Sequence, residues 1–453
     1  MTGTLMVGVS GVRGIVDKDL TPAIVTRWAR AFGRWVRQRK AVVVLGRDSR
    51  SSGPVFAQAA QEGLTAVGCD VVDIGLAPTP TIQLAVEHHR AGGGIAITAS
   101  HNPIEWNALK FIGPDGIFLD GADGARVQQL AGEDGERRGR AGDVTTDDRA
   151  IERHLDAVLK LPAVGAERIQ KRRFRVALDA VRGAGGPIMV ALLERLGCSV
   201  TGINLEPDGR FPRPPEPVPE NLGELSSLVR RTGAEIGIAV DPDVDRLAIV
   251  DETGTPIGED YTLAFAVRAV LGGRADRPTA VVCNLSTSLV VADAARGYGA
   301  EVVRTPVGEV HVARAILRLA AVIGGEGNGG VMYPALHVGR DAPVAAALVL
   351  ALLARSGSTV SELVTAAPRY AIVKAKAPRD GGPALGDVYA ALERRFSDAQ
   401  VDTQDGLRLA WRDRWLHVRP SNTEPIIRLI AEAPTAALAQ QLVDEGRRLC
   451  AAS

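Results

Sequence analysis

Residues 41–75 read AVVVLGRDSRSSGPVFAQAAQEGLTAVGCDVVDIG. A β-branched run gives way to a polar, glycine-containing turn. An amphipathic stretch follows, stops at Gly68, and leads into a second short β-branched run. The pattern predicts strand, helix, strand, and a helix between two strands of one sheet implies that they lie parallel. The same grammar returns in 174–204, FRVALDAVRGAGGPIMVALLERLGCSVTGIN, with its helix stop at Gly197. It returns again in 279–308, TAVVCNLSTSLVVADAARGYGAEVVRTPVG, with its stop at Gly299. A glycine just past the last turn supplies the left-handed residue on which helices commonly end.

Downstream of each copy another apolar run ends in an unusual polar loop. GGGIAI runs into TASHNP (98–103), AEIGIAV into DPDVDR (241–246), and AAVIG into GEGNGG (325–330). Ligands bind in such sheets outside the carboxyl ends of the strands, so three units packed side by side would bring the loops together. From about Pro368 the grammar changes. VDTQDGLRLAWRDRWLHVRPSNTEPIIRLIAEA alternates short runs with turns, and AALAQQLVDEGRRLC reads as a closing helix. The expected fold class is therefore α/β, with three repeated α/β units and a smaller C-terminal α+β domain.

The totals bound the function. A chain of 453 residues is too long for one ordinary core and suits three or four domains. Its 53 basic residues balance 53 acidic ones, which argues against a general nucleic-acid or membrane binder and for a small ligand. Cys69, Cys198, Cys283 and Cys450 are scattered without a CxxC, fitting neither a disulfide framework nor a zinc site and suiting a reducing cytoplasm. The segment MTGTLMVGVSGVRG lacks the basic-then-apolar order of a signal peptide. The longest apolar run, 342–354, is too short to span a bilayer and reads as a buried helix. Segments 132–148 and 207–220 read as exposed loops by composition.

Asp241, Asp243 and Asp245 alternate immediately after a strand. Three carboxylates this close repel one another unless a cation is present, and hard oxygen ligands favour magnesium completed by phosphate oxygens. Arg246 adjoins them. A rival reading takes DPDV as the nucleophile motif of a haloacid-dehalogenase-type phosphatase, with Asp241 attacking phosphorus. That motif prefers threonine where Asp245 stands, and it leaves Ser100 unexplained. RPSNTEPIIR sets Arg419 and Arg428 around Ser421, Asn422 and Thr423, a guanidinium fork with neutral hydrogen-bonding groups suited to phosphate. The glycine-rich loop carrying Glu326 and Asn328 is neither a Walker loop nor a dinucleotide fingerprint, and it suits the vicinal hydroxyls of a sugar. A serine that takes and returns a phosphoryl group needs a cation and a nearby acid or base. For Ser100 the nearest titratable groups in the chain are His101 and Lys110.

With TASHNP, DPDVDR, GEGNGG and RPSNTEP in this order, the chain resembles the α-D-phosphohexomutase family, from GVSGVRG (8–14) to RPSNTEPIIR (419–428). The resemblance implies four domains around a central cleft, placed here at 1–149, 150–253, 254–367 and 368–453. It implies a phosphorylated Ser100, with Mg2+ between that phosphate and Asp241, Asp243 and Asp245. Glu326 and Asn328 would contact the sugar, and Arg419, Ser421, Asn422 and Thr423 would hold the non-reacting phosphate. Arg13, Lys110, Arg246 and Arg340 match other cleft positions. The phosphoryl group would pass through a hexose bisphosphate, which also primes the enzyme, beneath a mobile fourth domain. A cytoplasmic monomer or homodimer acting on small sugar phosphates is implied, with neither nucleic acid nor membrane as partner. Phosphomannomutase/phosphoglucomutase members usually carry VGH and SGH where this chain has VGE, with Glu309, and NGG, with Gly330. The acidic residue is more like phosphoglucosamine mutases, archaeal-type and related bacterial members, so glucosamine phosphate is the expected substrate. A mutase of broad hexose specificity is the alternative, and His311 is expected on a helix surface.

Overall fold

Each of the three repeats folds into the same four-strand core. The computed structural model describes residues 5–9, 11–133, 141–274, 280–379, 382–421 and 426–451. In the first unit the spatial order is Trp106–Ile112, Gly93–Ile97, Val42–Arg47, Asp70–Leu76. The last three are parallel and Trp106–Ile112 runs antiparallel. The second unit repeats this order with Leu247–Val250, Ile236–Val240, Arg175–Asp179, Ser199–Ile203. The third does so with Gly330–Met332, Ile323–Glu326, Ala280–Asn284, Glu301–Thr305. In every unit the polar loop singled out in the sequence is the turn into the antiparallel strand. The intervening helices, Gly53–Ala66, Gly185–Arg195 and Leu289–Arg296, are followed by Gly68, Gly197 and Gly299 at φ of 80°, 75° and 71°. These are left-handed values, which is why glycine stands there.

The first sheet is extended to seven strands by Met6–Gly8 and Gly11–Ile15 on one edge and Val144–Thr146 on the other. Val144–Thr146 corrects the loop expected over 132–148. All three of its side chains are exposed, so no apolar alternation marks it as a strand. The helix Ala342–Ser356, buried from Ala342 to Leu353, is apolar on every side and is covered on every side. It lies in one core that includes Leu178, Ile188 and Leu192 of the second unit and Phe265, Val281 and Ile323 of the third. No helix among the described residues is long and apolar enough to cross a membrane.

The C-terminal unit is a five-stranded antiparallel sheet in the order Ala371–Pro378, Ile426–Ala433, Trp415–Pro420, Leu407–Ala410, Gln400–Asp402. The helices Leu385–Arg395 and Ala436–Ala451 complete it, and it has its own core around Leu392, Leu409, Leu416 and Val443.

Candidate active site

Ser100 follows the strand Gly93–Ile97 in a left-handed conformation, φ 49°, and is 5% exposed. The loop that carries it is held by one side chain. Arg50, 1% exposed, donates from Nη2 to the carbonyls of Ser100 (2.7 Å) and Asn102 (2.6 Å). From Nη1 it donates to those of Pro103 (2.7 Å) and Trp106 (2.9 Å). Asp48 pairs with the same guanidinium at 3.1 Å and takes the Thr98 hydroxyl at 2.6 Å. Neither residue stood out in the sequence, although GRDSR ends the first repeated strand.

The Ser100 hydroxyl donates to Asp241 Oδ2 at 2.7 Å. Asp241 Oδ1 accepts from the backbone N–H groups of Asp245 and Arg246, so both of its oxygens are engaged. Asp243 Oδ2 accepts from Lys110 Nζ at 2.7 Å and from the Thr79 hydroxyl at 2.8 Å, and Asp245 Oδ2 accepts from Arg340 Nη2 at 2.6 Å. Ligand atoms of the three aspartates lie within 4.8 Å of one another. Asp243 Oδ1 and Asp245 Oδ1 are buried with no hydrogen-bond donor. Buried anionic oxygens left without donors are costly, and a divalent cation relieves that cost. The donor set therefore fits magnesium. Burial, then the neighbouring Asp245 and Asp243, push Asp241 well above the usual carboxylate range. Burial acts on Asp243 in the same sense but is outweighed by Lys110 and the hydrogen bonds it receives, which hold it well below.

A pocket of about 230 Å³ opens over Ser100, lined among others by Arg13, His101, Lys110, Arg246, Glu309 and Arg340. Arg13 donates to Asn102 Oδ1 at 2.8 Å, which ties the strand Gly11–Ile15 to the serine loop. His101 Nδ1 is 3.3 Å from Ser100 Oγ. Burial, then the Arg246 guanidinium, push this imidazole down to about 2, so it is neutral near pH 7 and holds a proton poorly. Arg246 pairs with Glu216 at 3.1 Å. Glu216 belongs to the segment read as an exposed proline-rich loop, and that loop reaches the cleft.

Arg340 is the centre of the sugar-loop side. Its Nη1 meets Glu326 Oε2 at 2.8 Å, and its Nε lies 3.0 Å from Glu309 Oε2. Glu326 also accepts from Asn284 Nδ2 at 2.9 Å and from Gly308 N at 3.2 Å. Asn328 turns into its own loop, its Oδ1 accepting from Gly330 N at 3.2 Å. A Cβ on Gly330 would lie 2.3 Å from Arg340 Cδ, so the arginine side chain passes where any side chain at 330 would start. Gln83, buried on the helix Thr79–His88, reaches Glu309 at 3.4 Å and is another cleft residue the sequence did not mark. His311 is exposed on the helix Glu309–Leu319.

Arg419 and Arg428 face each other in register on adjacent strands of the fourth unit, with Ser421 at the end of one of them. Arg419 does not line the Ser100 pocket. Its link to the cleft is Asp405, whose Oδ2 accepts from Arg419 Nε and from Val307 N, each at 3.0 Å. Asn422 and Thr423 lie outside the described residues.

Four family models match in chain order. Three are described as phosphoglucomutase/phosphomannomutase alpha/beta/alpha domains I, II and III, at residues 4–138, 152–254 and 258–370, and the fourth as the C-terminal domain, at 373–449. A Thermococcus kodakarensis protein named "Phosphoglucomutase/phosphomannomutase" is 38% identical over 98% of this chain and 97% of its own length. A Methanopyrus kandleri protein named "Probable phosphoglucosamine mutase" is 38% identical over 97% and 96%. The solved structure of a phosphoglucomutase/phosphomannomutase family protein from Burkholderia thailandensis superimposes with a TM-score of 0.85. It is 28% identical and covers 99% of this chain and 97% of that one.

Proposed function

We propose, from the premise that the chain belongs to the phosphoglucomutase/phosphomannomutase family, that it interconverts glucosamine 6-phosphate and glucosamine 1-phosphate through a phosphorylated Ser100. The observation that carries this is the Ser100 hydroxyl, 2.7 Å from a buried cluster of three aspartates on another unit.

Asp241, Asp243 and Asp245 would hold Mg2+, which when bound spreads the charge of a transferring phosphoryl group. In the first half-reaction a sugar hydroxyl oxygen forms the new bond to phosphorus as the Ser100 Oγ–phosphorus bond breaks. The hydroxyl proton ends on Oγ, and the neutral His101 imidazole, 3.3 Å from that oxygen, is placed to hydrogen-bond with it as the proton arrives. Lys110, anchored on Asp243, supplies positive charge at the same point, with Arg13 on the far side of the serine loop. The sugar bisphosphate then presents its other phosphate, and Ser100 takes it back. Glu326, Asn328 and Arg340 bind the sugar, with Glu309 behind Arg340. Arg246 and the fork of Arg419, Ser421, Asn422, Thr423 and Arg428 hold the phosphate that is not reacting. We place the unit boundaries at 149/150, 253/254 and 367/368, with the enzyme in the cytoplasm, a hexose bisphosphate as primer and a fourth unit that moves during turnover.

The amino sugar rests on the Methanopyrus kandleri relative's name, whereas the Thermococcus kodakarensis relative, equally similar, is named for hexoses. Glu309 is 9% exposed at its side chain and paired with Arg340, so its charge bears on an amino sugar through that pair. Initial rates of the magnesium-loaded, bisphosphate-primed protein on glucosamine 6-phosphate, mannose 6-phosphate and glucose 1-phosphate test the assignment. A tenfold lead for the amino sugar, about 1.4 kcal/mol of transition-state discrimination, is the expected result. Equal or higher efficiency on mannose or glucose phosphate replaces it with a broad hexose mutase.

A further inference from the structure

A second polar cluster lies buried where the first three units meet, apart from the phosphoryl-transfer groups. Asp341 caps the helix Ala342–Ser356, its Oδ1 accepting from Val344 N at 2.9 Å. Its Oδ2 meets His154 Nε2 at 2.8 Å and His337 Nε2 at 3.0 Å. The three residues are 1%, 1% and 3% exposed for Asp341, His154 and His337. His337 Nδ1 accepts from Gly339 N at 3.2 Å, which leaves its hydrogen on Nε2, aimed at Asp341. His154, on the helix Ala150–Leu159, has its Nδ1 2.9 Å from the Thr81 hydroxyl of the first unit.

The surroundings give this cluster a direction. The helix Thr79–His88 grips Asp243 through both the side chain and the backbone of Thr79, and two residues later reaches His154 through Thr81. The backbone on either side of Asp341 is tied to the cleft, Asp341 N to Val331 O at 2.9 Å and Ala342 N to Val244 O at 3.2 Å in the middle of the aspartate loop. Arg340 is the residue just before Asp341. Its stem runs against Gly330 with no spare room, so the backbone at 340–341 decides where its guanidinium lands among Asp245, Glu309 and Glu326.

We propose that His154, His337 and Asp341 form a positioning brace for Arg340, through which the packing of the first three units sets the aim of that guanidinium in the cleft. The brace acts on turnover through Arg340, and to that extent it rests on the sugar-binding role assigned to Arg340 above. A carboxylate saturated by one backbone and two imidazole donors is rigid, and rigid supporting groups are what hold a functional side chain in place.

A double-mutant cycle with a second readout free of turnover tests this on the full chain loaded with magnesium. His154→Phe and His337→Phe, each alone, should lower kcat/KM about tenfold or more, and by less than about twofold when Arg340→Met is already present. His154→Gln, which keeps an N–H donor for Asp341, should restore most of the loss. Independently, the Arg340 Nε–H signal in 15N-arginine spectra, identified by its disappearance in Arg340→Met, should exchange with solvent about tenfold faster in His154→Phe than in the unmodified chain. If a phenylalanine variant does not fold, Thr81→Val, which removes only the hydroxyl on His154, is read in the same way. Losses of equal size with and without Arg340, or an Arg340 exchange rate that His154→Phe leaves unmoved, overturn the brace. The exchange measurement needs no substrate, so a chain that turned over no hexose phosphate would sink the functional assignment and still decide this one.

Discussion

The second and third units share one apolar core, whereas the fourth unit keeps its own and meets its neighbour through polar groups. The shared core runs from Leu155 to Leu363, and the fourth unit's from Ala377 to Cys450. Across the junction Glu432 accepts from Leu289 N at 2.8 Å and from the Ser288 hydroxyl, while Trp415 Nε1 supports it from its own sheet at 2.6 Å. His417 Nδ1 pairs with the Ser286 hydroxyl at 2.8 Å, and Asp405 takes Val307 N. Separating a shared core exposes apolar surface at roughly 25 cal/mol per Å², with nothing to offset it. Parting a polar junction exchanges its hydrogen bonds for water, at a net cost of about 1 kcal/mol each. The aspartates thus stand on the part of the molecule that cannot come apart cheaply, and the phosphate fork on a part that can.

The largest expected effect breaks the chemistry and leaves both kinds of junction intact. Ser100→Ala should lower mutase flux by about a thousandfold or more, about 4 kcal/mol of barrier, with an unchanged melting curve. Turnover that survived in a coupled assay would return the reaction to Asp241 as a hydrolytic nucleophile and disconnect the comparison from function.

Next come the cores themselves. Leu348, fully buried in the helix Ala342–Ser356, belongs to the core that both units build, so Leu348→Ala should cost about 3 kcal/mol and weaken the two together. Leu409→Ala, of the same chemistry in the fourth core, should lower only the fourth unit's transition. Urea unfolding followed by hydrogen exchange in each unit separates these outcomes. A single transition displaced equally by both substitutions would show that the units stand or fall as one.

The smallest effect concerns pH. Burial pushes His417 down from its usual range to about 4. A detached or unfolded fourth unit would titrate this imidazole near 6.5, so on acidification the proton goes first to that state. The junction's contribution from His417 is complete above about pH 6.5 and is lost as pH falls through about 4. Burial raises Glu432 instead, which acts in the opposite sense, so the informative quantity is the difference between the unmodified chain and His417→Gln. Protease cleavage near residues 366–370 should rise on acidification more steeply in the unmodified chain. Identical profiles would remove His417 from the junction.

What was legible in the sequence was what is contiguous. The three repeats show because β-branched runs, amphipathic helices and glycine stops follow one another within about thirty residues, and each element is built by local rules. Asp241, Asp243 and Asp245 show because three like charges in five positions have few other uses. Arg50, Thr79, Gln83 and Glu216 were not legible, since each is one polar residue in an ordinary turn, helix or loop whose partner lies far along the chain. Arg50 looks like a solvated arginine until the fold turns it inward onto four carbonyls. The Pro-rich composition of 207–220 pointed to an exposed loop, but only Arg210, Pro212, Pro214 and Glu220 are exposed, the rest being buried or half-buried, and it hid the carboxylate that reaches Arg246. The direction of each unit's return strand was likewise unmarked, because a polar turn gives no sign of which way the chain comes back.

The helix Ala342–Ser356 also constrains ancestry. Units that arose by copying could be lost or exchanged singly only while each closed its own core. With this helix bedded in both neighbours, losing either the second or the third unit alone would leave an apolar face of the other bare to water, an aggregation site from the moment of synthesis. On this packing, those two units have to be inherited as a pair. The fourth, docked through hydrogen bonds that water can replace, is a unit that recombination could still swap.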